Sequence, residues 1–110
     1  MTKGVEMGSY VLLYSGGGMP EGEEEQAQVM KAWTDWYAGL GAAVTDTGNP
    51  FTPQAKRLGP DGSIDDVPAE ASGYTIVSAD SLDAAGDIAK GCPVLAGGAT
   101  LTVYETFQVM

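Results

Sequence analysis

Between Ser9 and Ser15 the chain reads Tyr-Val-Leu-Leu-Tyr, a short apolar run stopped by Gly16-Gly17-Gly18, which predicts a strand followed by a loop. From Glu21 to Leu40 the period changes. Val29, Trp33, Trp36, Tyr37 and Leu40 recur at the spacing of one helical face, with Glu23, Glu24 and Glu25 in the first turn, where negative charge suits the helix dipole, and Gly41 at the stop. A short run, Ala43 to Asp46, meets the turn-rich Thr47-Gly48-Asn49-Pro50. Gln54 to Leu58 and Ser63 to Asp65 flank Gly59-Pro60-Asp61-Gly62, which reads as a hairpin. Gly73 to Ala79 is the next strand. Ser81 is placed as N-cap of a helix over Leu82 to Lys90, followed by Gly91 and Pro93. Thr100 to Val109 alternates Leu101, Val103, Phe107 and Val109 against polar and tyrosine positions, again a strand.

Two strand-helix-strand halves in so short a chain predict an α+β fold of split β-α-β type, with an antiparallel sheet and two helices on one face. In the first strand Tyr10, Leu12 and Tyr14 point one way while Val11 and Leu13 point the other, so both sheet faces are apolar there. Two helices cover only one of them. A second copy is the simplest cover for the other face, because two-fold pairing is the commonest homo-oligomer, and a homodimer with facing sheets is expected.

Composition narrows the function classes more than it selects one. The length of 110 residues predicts one domain over residues 9–110 behind a flexible tail of residues 1–8; 44% hydrophobic and 18% charged residues are ordinary globular composition. Fifteen acidic against five basic side chains give a net charge of −10, which repels phosphate backbones and anionic headgroups and speaks against nucleic-acid and membrane partners. The lone Cys92 forms no internal disulfide, the N-terminus lacks a signal-type apolar segment, and no apolar run has spanning length; a cytoplasmic protein is the simplest expectation.

Taken in order, YVLLYSGG, TGNPF, PDGSI, GYTIVSADSLDAA, AKGCPVL and GATLTVYE, spread from Ser9 to Thr106, resemble the YCII-related proteins, particularly the DGPF-domain branch. The resemblance implies a ferredoxin-like sandwich that dimerises as an α+β barrel. That superfamily includes a chlorohydroxyhydroquinone dehydrochlorinase, members with a proposed histidine-aspartate site, and members encoded beside extracytoplasmic-function sigma factors. It implies a small-molecule ligand in a dimer-associated pocket with cofactor-free lyase, dehalogenase or isomerase chemistry; the alternative is a non-catalytic binding or accessory module linked to sigma-factor regulation. The present chain departs from the pattern in having no histidine, and in carrying Asp66-Val67-Pro68-Ala69 where the name-giving motif would stand.

Without histidine, Ser-His-Asp, Cys-His and His-based metal sites are excluded, and no metal or cofactor is expected. Asp46 lies near where relatives of the resembling family keep their acid, and partial burial by a dimer would raise its pKa and suit it to acid/base work; otherwise it starts an Asx turn into Thr47-Gly48. Asp35 sits about 200° round the helix from Trp33 and four residues after Lys31, so it is expected in water beside that lysine. Asp65, Asp66 and Glu70 cluster after the hairpin without EF-hand spacing and read as a solvated loop. The glycine loop at 16–18 is a poor phosphate cradle, since Glu23 to Glu25 sit where the anion would bind. Cys92, just past a helix C-terminus and without a base, reads as a packed side chain. The ligand-binding candidates are Tyr10, Trp33 and Tyr104, with Tyr14, Tyr74, Thr102 and Thr106 as further wall positions, while Glu105 interrupts the apolar face of its strand and is either an edge charge or a pocket acid.

Overall fold

The computed structural model describes residues 7–18 and 20–108. Along the chain run β1 (Gly8–Ser15), α1 (Glu23–Leu40), a 3-10 turn (Gly41–Ala43), β2 (Val44–Asp46), β3 (Gln54–Leu58), β4 (Ile64–Pro68), β5 (Gly73–Ala79), α2 (Leu82–Ala89), a second 3-10 turn (Pro93–Gly97) and β6 (Thr100–Glu105). The architecture is α+β. One sheet of four strands has the order β2-β5-β1-β6 with every pairing antiparallel, and β3 and β4 form a separate two-stranded sheet.

Several boundaries move for local reasons. Of the tail expected over residues 1–8, residues 1–6 lie outside the described residues, and Gly8 already pairs with Ala79, so the strand starts one residue early. Helix α1 begins at Glu23 rather than Glu21: Gly22 holds an extended ψ of 142°, and the Gln26 side-chain amide donates back to the Pro20 carbonyl at 2.7 Å, turning the entry outward. In the hairpin, Ser63 belongs to the turn, its N–H donating to Asp61 Oδ1 at 3.0 Å while Gly59 N–H donates to its carbonyl at 2.9 Å. The second strand therefore runs Ile64–Pro68 instead of Ser63–Asp65, and Pro68 is tolerated because it ends the ladder opposite Gln54. β6 stops at Glu105; of the expected continuation, Thr106, Phe107 and Gln108 are outside the strand and Val109 lies outside the described residues. Ser81 caps α2 as expected, its Oγ accepting from Ala84 N–H at 3.0 Å.

The core lies on one face of the four-stranded sheet. Tyr10, Leu12 and Tyr14 from β1 meet Val77 and Ala79 from β5 beneath Ala85 and Ala89 of α2, whose small side chains let the helix approach closely. Leu101 and Val103 of β6 complete that face. Helix α1 contributes differently. None of its residues is fully buried; Trp33 and Trp36 pack half-buried against the cluster, so the apolar face of the helix is a ridge with one flank in water.

The opposite sheet face carries Val11, Leu13, Tyr74, Ile76 and Tyr104, brought side by side by the pairs Val11↔Ile76, Leu13↔Tyr74 and Val11↔Tyr104. Among the described residues no helix lies on it. The molecule is correspondingly thin, 52 × 47 × 18 Å, one helix layer on one sheet layer, and its Cα radius of gyration of 16.3 Å exceeds the ~13 Å of a compact chain this long.

Candidate functional site

Strand pairing decides which candidate residues can meet. Tyr10 stands opposite Glu105 in the β1/β6 ladder and Tyr104 stands opposite Val11, so the two tyrosines lie on opposite faces of the sheet. Tyr10 is buried under the helical layer, whereas Tyr104 is 52% exposed on the uncovered face. Trp33 belongs with Tyr10's side: its ring meets Tyr14 edge-on at 5.7 Å and Trp36 at the same separation. The structure thus brings Trp33 and Tyr10 to one side and Tyr104 to the other, and no single-chain pocket contains all three.

Asp46 ends β2 at the sheet's edge, its Cα paired with that of Ile76 on β5. Its Oδ1 accepts the Gly48 N–H at 2.8 Å, closing the Asx turn that was the alternative reading of this residue. The side chain is exposed. The turn it begins is held from two sides, because the carbonyl of Thr47 accepts the Tyr37 hydroxyl of α1 at 3.2 Å and the Thr75 hydroxyl of β5 at 3.1 Å. Thr75 in turn accepts the Tyr14 hydroxyl at 2.5 Å. Thr75 is fully buried, and this chain leaves neither hydroxyl unpaired, as burial demands.

Burial drives the Tyr14 phenol far above the ordinary tyrosine value, only partly offset by the Thr75 hydrogen bond. Burial also raises Tyr37 and Cys92; the Cys92 thiol packs beside Tyr14 and no base adjoins it, consistent with a small buried side chain. Tyr10 is raised by burial first, then by the nearby carboxylates of Glu105 and Asp80. All these shifts favour the neutral forms. The cluster is a locked polar spine and holds no charge for acid/base work.

The uncovered face has the makings of a ligand wall. Phe51, which follows the turn and is 44% exposed, stacks on Tyr74 at 5.7 Å and 28°. Its backbone N–H donates to Ser72, fixing it at the corner where Pro50 bridges Gly73. Sequence reading passed over Phe51, although the alternation of β5 puts Tyr74 and Ile76 on one face and the TGNPF turn points back to it. Thr102 shares this face through its pair with Leu13.

Elsewhere the acids are solvated. Lys31 pairs with Asp35 at 2.7 Å as their spacing predicts, and Lys56 with Asp66 at 2.5 Å across the hairpin. Among the described residues no three His, Cys, Asp or Glu side chains gather as a metal-binding group, and no helix is long and apolar enough to cross a membrane. The concavities beside the hairpin are open grooves, one of about 730 Å³ between Thr52 and Pro68 and one of about 430 Å³ beside Phe51 and Glu70. Comparison of the chain with protein-family models returns no match, and comparison with curated proteins returns none either.

Proposed function

We propose that the chain works as a homodimeric small-molecule-binding protein of YCII-related type, with two copies laying their uncovered sheet faces together and the ligand held between them against Phe51, Tyr74 and Tyr104. The observation that carries this reading is the apolar face of half-buried Val11, Leu13, Tyr74 and Ile76 with exposed Tyr104, on which no helix packs among the described residues. A contiguous apolar surface left partly open to water marks an interaction site. The strand order β2-β5-β1-β6, with helices on one side, supports a ferredoxin-like topology and hence a barrel formed by pairing. A site of aromatic walls with few polar groups suits a small apolar or aromatic ligand bearing a hydroxyl or carboxyl.

One observation favours a catalytic variant of the same reading. Asp46 pairs with Ile76 of the uncovered face, so pairing of copies would bring its carboxylate to the rim of the enclosed space and desolvate it. The absence of any histidine favours binding without turnover.

Sedimentation velocity at micromolar concentration, run on the native chain and on Tyr104→Asp, tests the assembly; circular dichroism verifies that the variant folds. A dimer that Tyr104→Asp dissociates is expected. A thermal-shift screen of small aromatic and hydroxy-acid compounds tests the ligand, since occupancy at a hundred times Kd stabilises by about 2.7 kcal/mol. A native monomer whose melting no compound shifts would sink the reading.

A further inference from the structure

We infer that the groove at the neck of the β3–β4 hairpin is a binding site for a small organic cation, an ammonium group carried on an apolar body. Each chain forms this groove alone, and it shares only Phe51 with the sheet face proposed above as the ligand wall, so the inference goes beyond that reading and does not depend on the pairing of copies. The backbone builds the neck. Pro50 bridges Gly73, Phe51 N–H donates to the Ser72 carbonyl at 2.9 Å, and Ala69 N–H donates to the Pro53 carbonyl at 3.0 Å, which holds the two segments side by side between β5 and the hairpin. The groove beside them measures about 430 Å³, a size suited to one small molecule.

Three observations choose the chemistry of that molecule. The first is the lining. Pro50, Ala55, Ala69 and Ala71 are apolar, and Phe51, 44% exposed, is kept at the groove by stacking on Tyr74. An aromatic ring on a groove wall attracts a cation through the negative face of its π system. The second is Glu70, the one charged side chain that lines the groove, which no ion pair engages among the described residues. The third is that no basic side chain lines it. Lys31, Lys56 and Lys90 pair with Asp35, Asp66 and Asp87, and Arg57 stands across the hairpin ladder from Asp65. On a chain of net charge −10 an anion entering the groove meets repulsion and no counter-charge, whereas a cation is drawn in by the field of the whole protein and met by Glu70. A metal ion does not fit the same walls. Hard cations require several oxygen ligands, and among the described residues no three His, Cys, Asp or Glu gather to supply them.

The test uses the full-length chain and benzyltrimethylammonium as the probe, followed by amide nitrogen–proton correlation spectra. Saturable shifts are expected at Phe51, Thr52, Ala69, Glu70 and Ala71. Benzyl alcohol and phenylacetate, the neutral and anionic counterparts, should bind there at least about twofold more weakly, since they lack the attraction of ring for cation. Phe51→Leu, which keeps the apolar volume without the ring, should weaken the probe about two- to fivefold. Glu70→Gln should weaken it by up to about fivefold and flatten its dependence on salt; spectral dispersion verifies that both variants fold. Phenylacetate or calcium chloride moving the same amides as strongly as the probe overturns the site. So do probe shifts no larger at the groove than at Glu23 to Glu25, or an affinity unchanged in both variants. A native monomer that binds the probe at the groove removes the sheet-face dimer and keeps this site, whereas a native dimer without groove shifts removes this site alone.

Discussion

Two glycines with nearly the same φ separate strain from collision. Gly48 has φ of 74° and Gly16 has φ of 79°, both in the left-handed region that L side chains resist. A Cβ added at Gly16 meets nothing within 4 Å, whereas at Gly48 it would overlap the Tyr74 carbonyl oxygen and stand 3.2 Å from the Tyr74 ring. Gly16→Ala therefore costs only the dihedral penalty of about 1–2 kcal/mol, partly returned by the stiffer unfolded chain. Gly48→Ala must also push the turn off β5 by about 1 Å or more to restore van der Waals distance. That shift endangers the Asp46–Gly48 bond of 2.8 Å and the two hydroxyl bonds to Thr47, worth about 1 kcal/mol each. The expected total is about 4 kcal/mol for Gly48→Ala against about 1 for Gly16→Ala. Urea unfolding at one fixed protein concentration measures both. Equal midpoints for the two variants would show that the turn is not pressed against β5 and would refute the reasoning.

The buried phenol predicts alkaline sensitivity. With its folded pKa raised, Tyr14 supports the fold fully below the ordinary value of 10.0 and withdraws that support as pH rises above it, at about 1.4 kcal/mol per pH unit. Stability measured from pH 9 to 11.5 should fall less steeply in Tyr14→Phe, which at neutral pH costs about 1 kcal/mol through the lost bond to Thr75; parallel curves would disprove the assignment. At Asp46 the Asx turn needs only an oxygen. Asp46→Asn should leave stability within about 0.5 kcal/mol while Asp46→Ala loses about 1, and chemical denaturation of the two separates them.

Much of the architecture was legible because period and punctuation are local. The alternation of GYTIVSA placed β5 to the residue, and Ser81 announced its helix by offering an oxygen to the first turn. What needed the structure was the relation between strands. Alternation tells that Tyr104 and Thr102 share a side of β6, but only the ladder with β1, Val11 against Tyr104, says that this is not Tyr10's side. A one-residue change of register would have reversed it. The spine from Tyr14 to Thr75 joins residues 61 positions apart, and no short-range pattern encodes such a bond. Helix α1 shows the same limit: its apolar period was plain, but its depth of burial depends on how little of the sheet its single ridge reaches.

The two tryptophans of this chain, Trp33 and Trp36, stand together on that ridge, within ring contact of Tyr14 and Tyr37. They make the protein's ultraviolet emission a private gauge of one junction, the seating of α1 on the helical side. Loosening of the helix would expose the indoles further to water and redden the emission. Phe51 and Tyr104 lie across the sheet from both indoles, so an occupant of that face would not touch them.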